Sequence, residues 1–251
     1  MDTNIQQKID RTIEWLRDKV RESRSTGLAV GLSGGIDSAV VAFLIKKAFP
    51  DNSVAVIMPC KSDPRDEQEA IKTAEACGIE YIRMELSHTH EILLKDIMEN
   101  IKNKDALKNQ QALRIADANL RARLRMSTLY CIANFLNYLV VGTDNASELY
   151  TGYFTKYGDG GVDILPIANL KKREVYEWGR HLGVPQSVLD RLPSAGLWEG
   201  QTDEAEMGTT YDMIDDFLEG KEIPQKDREI IERLHQKSEH KRRMPAKPPI
   251  F

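Results

Sequence analysis

Leu28–Val41, with the sequence LAVGLSGGIDSAVV, is the stretch that decides the fold. One apolar segment runs into a Ser-Gly-Gly turn, and a second apolar segment with helical character follows from Ala39 to Ile45. This pattern predicts a buried strand, a tight loop and the first turn of a helix. Because the first amides of a helix lack intrahelical partners and carry partial positive charge, the stretch predicts a phosphate-binding loop.

The polar residues of the loop extend this prediction. Ser33 and Ser38 add hydroxyl donors, whereas Asp37 places an acid beside the predicted anion site. An acid at this place is understandable if a cation such as Mg²⁺ bridges it to the phosphates. Asp37 is therefore a candidate metal ligand.

Two better-known phosphate loops are excluded. A Walker A loop needs Gly-Lys-Ser/Thr at the start of the helix, and no lysine lies between Gly27 and Ala42. The dinucleotide fingerprint is also absent, since Ser33 stands in the place of its second glycine. A Gly-Ser hairpin or a plain strand-to-helix turn remains the alternative to a ligand loop.

Strand-like and helix-like segments alternate along the chain. This alternation predicts an α/β fold, a doubly wound and mostly parallel sheet flanked by helices, with ligands at the carboxyl ends of the strands. The further predicted strands are Ser53–Met58, Glu80–Glu85 and Tyr138–Asn145. The predicted helices cover 3–24, Asp66–Cys77, a segment from Thr89 capped by Ser87, Gln111–Asn137, Lys171–Leu182, Asp212–Leu218 and Lys226–Lys237.

The long helix Gln111–Asn137 combines an apolar face with several arginines. For most of Arg114, Arg121, Arg123 and Arg125 we expect a solvated helix face. The apolar face suits a contact between subunits.

Three polar or irregular segments are candidates for ligand contacts. Thr151–Asp163 is rich in glycine and aromatic residues, which is typical of a loop shaped around a ligand or of a mobile surface hairpin. Arg191–Gln201 is rich in helix breakers and is a candidate lid. The basic cluster His240–Pro245 could clamp a phosphorylated small molecule, contact nucleic acid or remain solvated, and we favour the clamp.

Composition excludes several classes of protein. The 251 residues are 41% hydrophobic and 29% charged with a net charge of −4, which gives no general attraction to nucleic acid. No apolar run has the length of a membrane span, and the first residues do not resemble a signal peptide. Three widely spaced cysteines favour reduced thiols. We expect a cytoplasmic protein that binds neither a membrane nor nucleic acid.

The Ser33–Ser38 loop resembles the pyrophosphate loop of the N-type ATP pyrophosphatases, whose fold is of the adenine nucleotide alpha hydrolase type. Within that group the chain is similar to the ammonia-dependent NAD synthetases. The segment Phe154–Gly161 distinguishes these enzymes from the other members that share the Ser33–Ser38 loop. The matching segments span nearly the whole chain: Gly31–Ser38, Arg121–Met126, Val141–Asp144 with Glu148, Phe154–Gly161, Asp163–Pro166, Leu170 with Lys172 and Arg173, Pro193–Ala195, and Glu239–Arg243.

The resemblance implies that nicotinic acid adenine dinucleotide (deamido-NAD), ATP and ammonia give NAD, AMP and pyrophosphate. The pyridine carboxylate attacks the α-phosphorus of ATP, and ammonia then displaces AMP from the acyl-adenylate. By the same resemblance, Asp37 and Glu148 hold Mg²⁺, while Lys172 and Ser194 stabilise developing charge. ATP would contact Gly31, Leu32, Ser33, Gly34, Gly35, Ile36, Asp37, Ser38, Thr143, Lys172 and Ser194. The dinucleotide would contact Arg123, Lys156, Asp163, His240 and Lys241.

Asp159 is a further candidate catalytic residue. Ammonia is mostly ammonium at neutral pH and must lose a proton before it attacks, so a carboxylate there can bind and deprotonate it. The resemblance also implies a homodimer. We expect residues 1–251 to form a single synthetase domain without the amidase domain of glutamine-dependent members.

Two alternatives remain open at the level of sequence. One is another amide- or thio-forming pyrophosphatase that acts on a nucleotide or on tRNA, although the chain shows no broad basic region and no paired cysteines. The other is a nucleotide sensor without catalysis, although Asp37, Glu148, Lys172 and Ser194 are all present.

Overall fold

A computed structural model describes residues 2–194 and 202–250. The described residues form one four-stranded parallel sheet in the order β3-β2-β1-β4. Its strands are β1 (Gly27–Gly31), β2 (Ser53–Ile57), β3 (Glu80–Arg83) and β4 (Tyr138–Val141). The helices are α1 (Asp2–Ser23), α2 (Ile36–Ala48), α3 (Pro64–Cys77), α4 (Ser87–Asn100), α5 (Gln110–Leu136), α6 (Ala146–Thr151), α7 (Lys172–Leu182), α8 (Gln186–Leu189), α9 (Asp203–Met207), α10 (Tyr211–Leu218) and α11 (Gln225–Arg242), with a 3₁₀ turn at Lys104–Lys108.

The sheet is covered on both faces, which confirms the predicted doubly wound fold. Side chains alternate along β1, so Leu28 and Val30 pack against α1, α2 and α7 on one face. Ala29 packs against α5 on the opposite face. A smaller cluster around Tyr211, Ile214 and Ile231 joins α6 to the C-terminal helices.

The strand order creates a crevice beside β1. The chain moves from β1 to β2 and β3 in one direction and then returns to pair β4 with the other side of β1. Ligand sites of open α/β sheets lie at such a reversal, outside the carboxyl ends of the strands. The segments after β1 and β4 are therefore brought together there.

Two local predictions are wrong. The Ser87 side chain does not cap α4; its hydroxyl accepts a hydrogen bond from the Lys61 amide, and the helix begins at Ser87 itself. Arg121 is buried and paired with Asp117, while the half-buried Arg125 donates to the Met58 carbonyl and the Ser62 hydroxyl. Arg125 fastens α5 to the segment after β2 and Arg121 is buried in an ion pair within α5, so neither forms a solvated face, whereas Arg114 and Arg123 are exposed.

Candidate active site

The loop between β1 and α2 has the geometry of an anion cradle. Gly34 has φ +86°, and a Cβ atom at this position would lie 2.3 Å from the carbonyl oxygen of Asp66, so only glycine fits. Ser38 Oγ accepts from the Ser33 amide at 3.2 Å and lies 3.0 Å from Ser33 Oγ, which ties the two ends of the loop together.

The start of α2 is uncapped. Gly35 occupies the cap position and offers no side chain, and within the described residues the amides of Ile36, Asp37 and Ser38 have no hydrogen-bond acceptor. Three free amides and the positive end of the helix dipole can therefore receive phosphate oxygens.

A lysine and two carboxylates meet beside this helix start. Lys172 Nζ lies 2.7 Å from Asp37 Oδ2 and 3.1 Å from Glu148 Oε1. The residues come from the starts of α7, α2 and α6, so the contact depends on the packing of three helices. Lys172 is 3% exposed, which makes this a buried charge cluster.

Asn145 orients both carboxylates. Its Nδ2 donates to Asp37 Oδ1 at 2.8 Å, and its amide donates to Glu148 Oε2 at 3.2 Å. The Asn145 side-chain oxygen accepts from the amide of Glu148 and completes the cap of α6. Each carboxylate thus has one oxygen fixed by Asn145 and the other turned towards Lys172.

Tyr211 closes the cluster from the side of α10. Its hydroxyl lies 3.1 Å from Glu148 Oε1 and 2.9 Å from Asp203 Oδ2, and the Lys172 ammonium lies 4.5 Å from the centre of its ring. Sequence reasoning missed Asn145, Asp203 and Tyr211. Asn145 is the last residue of a predicted strand, although its residue type suits a helix cap, and no sequence signal connects Asp203 or Tyr211 to the phosphate loop.

Burial and charge together shift the pKa values of the cluster. Burial alone lowers the pKa of Lys172, but Asp37 and Glu148 outweigh it and hold that pKa above its usual range. Burial, together with the charge of Asp37, raises the pKa of Glu148 to about 7 although Lys172 opposes the shift. Burial also raises the pKa of Asp203. Three carboxyl groups thus lie around one ammonium, and they favour the cationic form of Lys172.

A second group of predicted residues lies around the glycine-rich loop. Lys156 Nζ donates to the His240 carbonyl at 2.5 Å, and Arg123 donates to the Lys156 carbonyl. Lys241 Nζ donates to the carbonyls of Gly152 and Phe154 at 2.7 and 2.6 Å. The structure thus brings α5, the loop and the end of α11 together.

Asp159 lies in this loop. Asp159 is exposed, and desolvation of its carboxyl group by the neighbouring protein raises its pKa. The carboxylate accepts from the Thr155 amide at 3.1 and 3.2 Å. Nearby, Asp144 is 5% exposed, burial raises its pKa, and Asp159 and Glu148 contribute in the same direction.

The remaining predicted residues occupy different places. Thr143 is half-buried directly after β4. Asp163 is fully engaged with the sheet edge, where its carboxylate accepts from the Val140 amide at 2.8 Å and from the Tyr130 hydroxyl at 2.9 Å. Ser194 is exposed at the end of the first described segment, and residues 195–201 of the predicted lid lie outside the described residues.

The crevice between β1 and β4, with its uncapped helix start and its buried lysine, defines an α/β protein built to bind a nucleotide. Comparison with known proteins gives the particular family: the model of the NAD synthase family matches residues 8–245, and the chain belongs to that family.

Three similar proteins illustrate the match. An NH(3)-dependent NAD(+) synthetase of Alkaliphilus oremlandii is 64% identical over 250 residues, which are 100% of both chains. The structure of NMN synthetase from Francisella tularensis has a TM-score of 0.91 and 41% identity, covering 98% of this chain and 99% of that one. NH3-dependent NAD synthetase from Campylobacter jejuni has a TM-score of 0.77 and 29% identity, covering 98% and 99%.

Proposed function

We propose that the crevice between β1 and β4 is the active site at which this chain converts deamido-NAD, ATP and ammonia into NAD, AMP and pyrophosphate. The family and the relative that matches over its full length support the reaction. The observation that carries the assignment to this crevice is the convergence of Lys172, Asp37 and Glu148 beside three free amides.

The phosphate loop would hold the ATP phosphates. The amides at the start of α2 and the backbone of Gly31–Ser38 face the crevice where strand order reverses, and Thr143 follows the neighbouring strand. The loop is short, and its conformation admits only glycine at position 34. The amides are therefore positioned before a ligand arrives. Such positioning lowers the cost of ordering the triphosphate.

Asp37 and Glu148 are suited to hold Mg²⁺. Their outer oxygens already converge on one cationic group, the Lys172 ammonium. No group of three or more carboxylate, thiol or imidazole side chains able to hold a metal occurs in the described part of the chain. Mg²⁺ commonly takes one or two carboxylates and completes its shell with substrate phosphates and water. When bound, the ion offsets charge on the departing pyrophosphate.

Different residues of this chain act in the two chemical steps. In the first step the pyridine carboxylate attacks the α-phosphorus, the bond to the β-phosphate oxygen breaks, and Lys172 stabilises charge on the phosphates. In the second step ammonia attacks the acyl carbon, AMP leaves with the electron pair of the acyl–oxygen bond, and the new amide nitrogen gives up one proton to water. Asp159 takes the proton from ammonium, and Ser194 would donate a hydrogen bond to the developing charge.

Arg123, Lys156, His240 and Lys241 would receive the dinucleotide. The positive charges of Arg123, Lys156 and Lys241 lie around the glycine-rich loop, and the contacts of this group keep that loop and the end of α11 together. Asp163 would contribute by holding the edge of β4 in place, since both of its oxygens are engaged there.

The domain content, the cellular compartment and the oligomeric state of the enzyme follow from the same reading of the chain. We propose one synthetase domain that uses ammonia, acts in the cytoplasm and works as a homodimer through the apolar face of α5. The exposed Phe135, Leu136 and Ile115 support a contact at α5. Cys60, Cys77 and Cys131 are free thiols, which suits a reducing compartment. No helix in the described ranges is long and apolar enough to span a membrane.

A second candidate substrate is nicotinic acid mononucleotide, the half of the dinucleotide that carries the carboxylate. The observation that favours it is the TM-score of 0.91 with an NMN synthetase, above the 0.77 found with the NAD synthetase from Campylobacter jejuni. Both substrates present the same carboxylate to the same adenylation chemistry.

The direct test offers purified protein ATP, Mg²⁺ and ammonium with either deamido-NAD or nicotinic acid mononucleotide. We expect the dinucleotide to give the larger kcat/KM, measured by chromatography of NAD, NMN and AMP. Formation of AMP without either amide would contradict the proposed reaction. A larger kcat/KM for the mononucleotide would replace the proposed substrate while leaving the site in place.

Asp159→Asn tests the proton-transfer step. We expect turnover with ammonium to fall by about 10²-fold or more, because an amide cannot accept the proton. ATP binding, measured by calorimetry, should change little. The asparagine retains an acceptor for the Thr155 amide, so the loop should keep its shape, and an unchanged melting temperature checks this. Equal turnover would remove Asp159 from the mechanism.

A further inference from the structure

The Lys172 ammonium sits between the carboxylates that are proposed to hold the metal. It lies 2.7 Å from Asp37 Oδ2 and 3.1 Å from Glu148 Oε1, and these are the oxygens that Asn145 leaves unengaged. Both are hydrogen-bond distances for a protonated amine. Lys172 therefore acts as the counter-ion of both carboxylates.

A divalent ion and the Lys172 ammonium cannot both occupy the position between Asp37 and Glu148. Mg²⁺ binds carboxylate oxygens at about 2.0–2.1 Å, inside the space that Nζ now occupies. The two cations would also repel each other strongly in a region where Lys172 is 3% exposed and little water screens charge. Occupation by one requires that the other leave.

The surroundings decide which partner moves. Asn145 is fully buried and holds the inner oxygens of Asp37 and Glu148, so the carboxylates are fixed. The backbone of Lys172 is fixed as well, since its amide lies 3.2 Å from Asp215 Oδ1. The four-carbon side chain of Lys172 remains the flexible part.

We propose that Lys172 is a resident cation that closes the metal site until a nucleotide arrives, so that the divalent ion enters only together with ATP. The inference rests on the proposed metal ligands Asp37 and Glu148. Phosphate oxygens supply the missing ligands of the metal and a new partner for the ammonium. The same exchange moves Nζ from the carboxylates to the phosphates, where charge develops.

The test measures Mn²⁺ binding by electron paramagnetic resonance, in which the signal of free aqueous Mn²⁺ falls as the ion binds. Without nucleotide the wild-type protein is expected to bind Mn²⁺ only at millimolar concentration. With ATP present, and after subtraction of the Mn²⁺ that the same ATP binds without protein, the affinity is expected to rise at least about tenfold. Tight Mn²⁺ binding by the wild type without nucleotide would overturn the proposal.

Lys172→Met is the decisive variant. Without nucleotide we expect it to bind Mn²⁺ at least about tenfold more tightly than the wild type, and Asp37→Asn added to it should abolish the gain. Crystals of the Lys172→Met protein soaked in Mn²⁺ should show an anomalous peak between Asp37 and Glu148. Unchanged affinity, or a peak elsewhere, would overturn the proposal.

Lys171→Met is the matched control. The neighbouring lysine has the same charge but pairs with Glu174 and Glu219 at 2.9 and 3.4 Å, away from the two metal ligands, so Mn²⁺ binding should not change. A gain equal to that of Lys172→Met would show a general charge effect and overturn the proposal. Lys172→Gln, which retains a donor for Asp37, replaces the methionine variant if that protein does not fold.

The readouts separate this inference from the proposed function. Metal titration needs no turnover, so absent NAD formation by the wild type would contradict the function alone. Normal NAD formation combined with tight Mn²⁺ binding in the absence of nucleotide would contradict the resident-cation proposal alone.

Discussion

Two of the three helices that begin at the active site, α2 and α7, have first turns that are built in opposite ways. At α2, Gly35 provides no cap and the amides of Ile36, Asp37 and Ser38 have no acceptor within the described ranges. At α7, the Asp215 carboxylate accepts from the amides of Lys172 and Arg173 at 3.2 and 2.9 Å. One helix start is left open for a ligand, and the other is closed to fix a side chain.

The difference follows from what each helix must supply. An uncapped helix start costs stability but offers free amides to an anion. A start closed by a buried carboxylate costs desolvation of that group, which Asp215 offsets with four partners including Ser147 and the guanidinium of Arg173. Binding and positioning are thus separated between two helices that meet at one point.

Asp37→Asn should have the largest effect, because it changes the only acidic side chain in the first turn of the open helix. We expect kcat/KM to fall by about 10³-fold through loss of the metal and of the Lys172 partner. Steady-state kinetics measure the loss, and the melting temperature should remain nearly unchanged. The exposed Asp51→Asn serves as control and should retain wild-type activity.

Asp215→Ala should have the next largest effect, and its main effect should be on stability. It leaves two helix amides and the Arg173 charge without their buried partner, so we expect the free energy of unfolding to fall by about 3 kcal/mol. Urea denaturation measures this, and kcat should fall as Lys172 loses its fixed backbone. Asp212→Ala, on the same helix but 82% exposed, should change stability by less than about 0.5 kcal/mol. Equal losses in the two variants would show that α7 is not held by Asp215.

Gly34→Ala should have a smaller effect, confined to the open helix start. The residue would have to adopt a positive φ with its Cβ 2.3 Å from the Asp66 carbonyl, and we expect a loss of about 2 kcal/mol in stability. ATP binding should weaken as well, because relief of the clash moves the loop. Thermal unfolding with and without ATP measures both effects. An unchanged melting temperature in both conditions would contradict the claim that only glycine fits at position 34.

Gly35→Asp should have the smallest effect on stability but a clear effect on binding. An aspartate at this position can cap α2, and a Cβ there meets only Ser33 Oγ at 3.4 Å, so stability should change by a few tenths of a kcal/mol. The added carboxylate competes with phosphate for the amides, and the Kd for ATP should rise about tenfold. Gly35→Ser separates the cap from the charge and should weaken binding less. Wild-type affinity in Gly35→Asp would show that phosphate does not bind at the start of α2.

The sequence predicts what is encoded locally. Leu28–Val41 carries its own strand, turn and helix start, and the alternation of segments predicts the doubly wound sheet that the structure confirms. The interactions that complete the site join residues far apart in the chain, such as Asp37 with Asn145 and Glu148 with Tyr211. No periodicity or local motif reports such contacts, since they arise only when helices pack.

The errors have the same origin. Arg125 looks like a residue of a solvated face because charge is read one helix at a time, but Met58 and Ser62, from a distant part of the chain, supply its partners. Ser87 has the residue type of a helix cap, yet the Lys61 amide from a separate loop takes its hydroxyl. Tertiary partners override local preference in each case.

The position of β4 beside β1 has a consequence for biosynthesis. The phosphate loop leaves the ribosome before β4, its neighbour in the sheet, which follows β2 and β3 in the sequence, and Lys172 and Asp215 emerge later still. A nascent chain therefore carries an anion cradle long before it carries the lysine that completes it. The order of synthesis withholds the reactive centre until every segment from β1 to α10 has emerged.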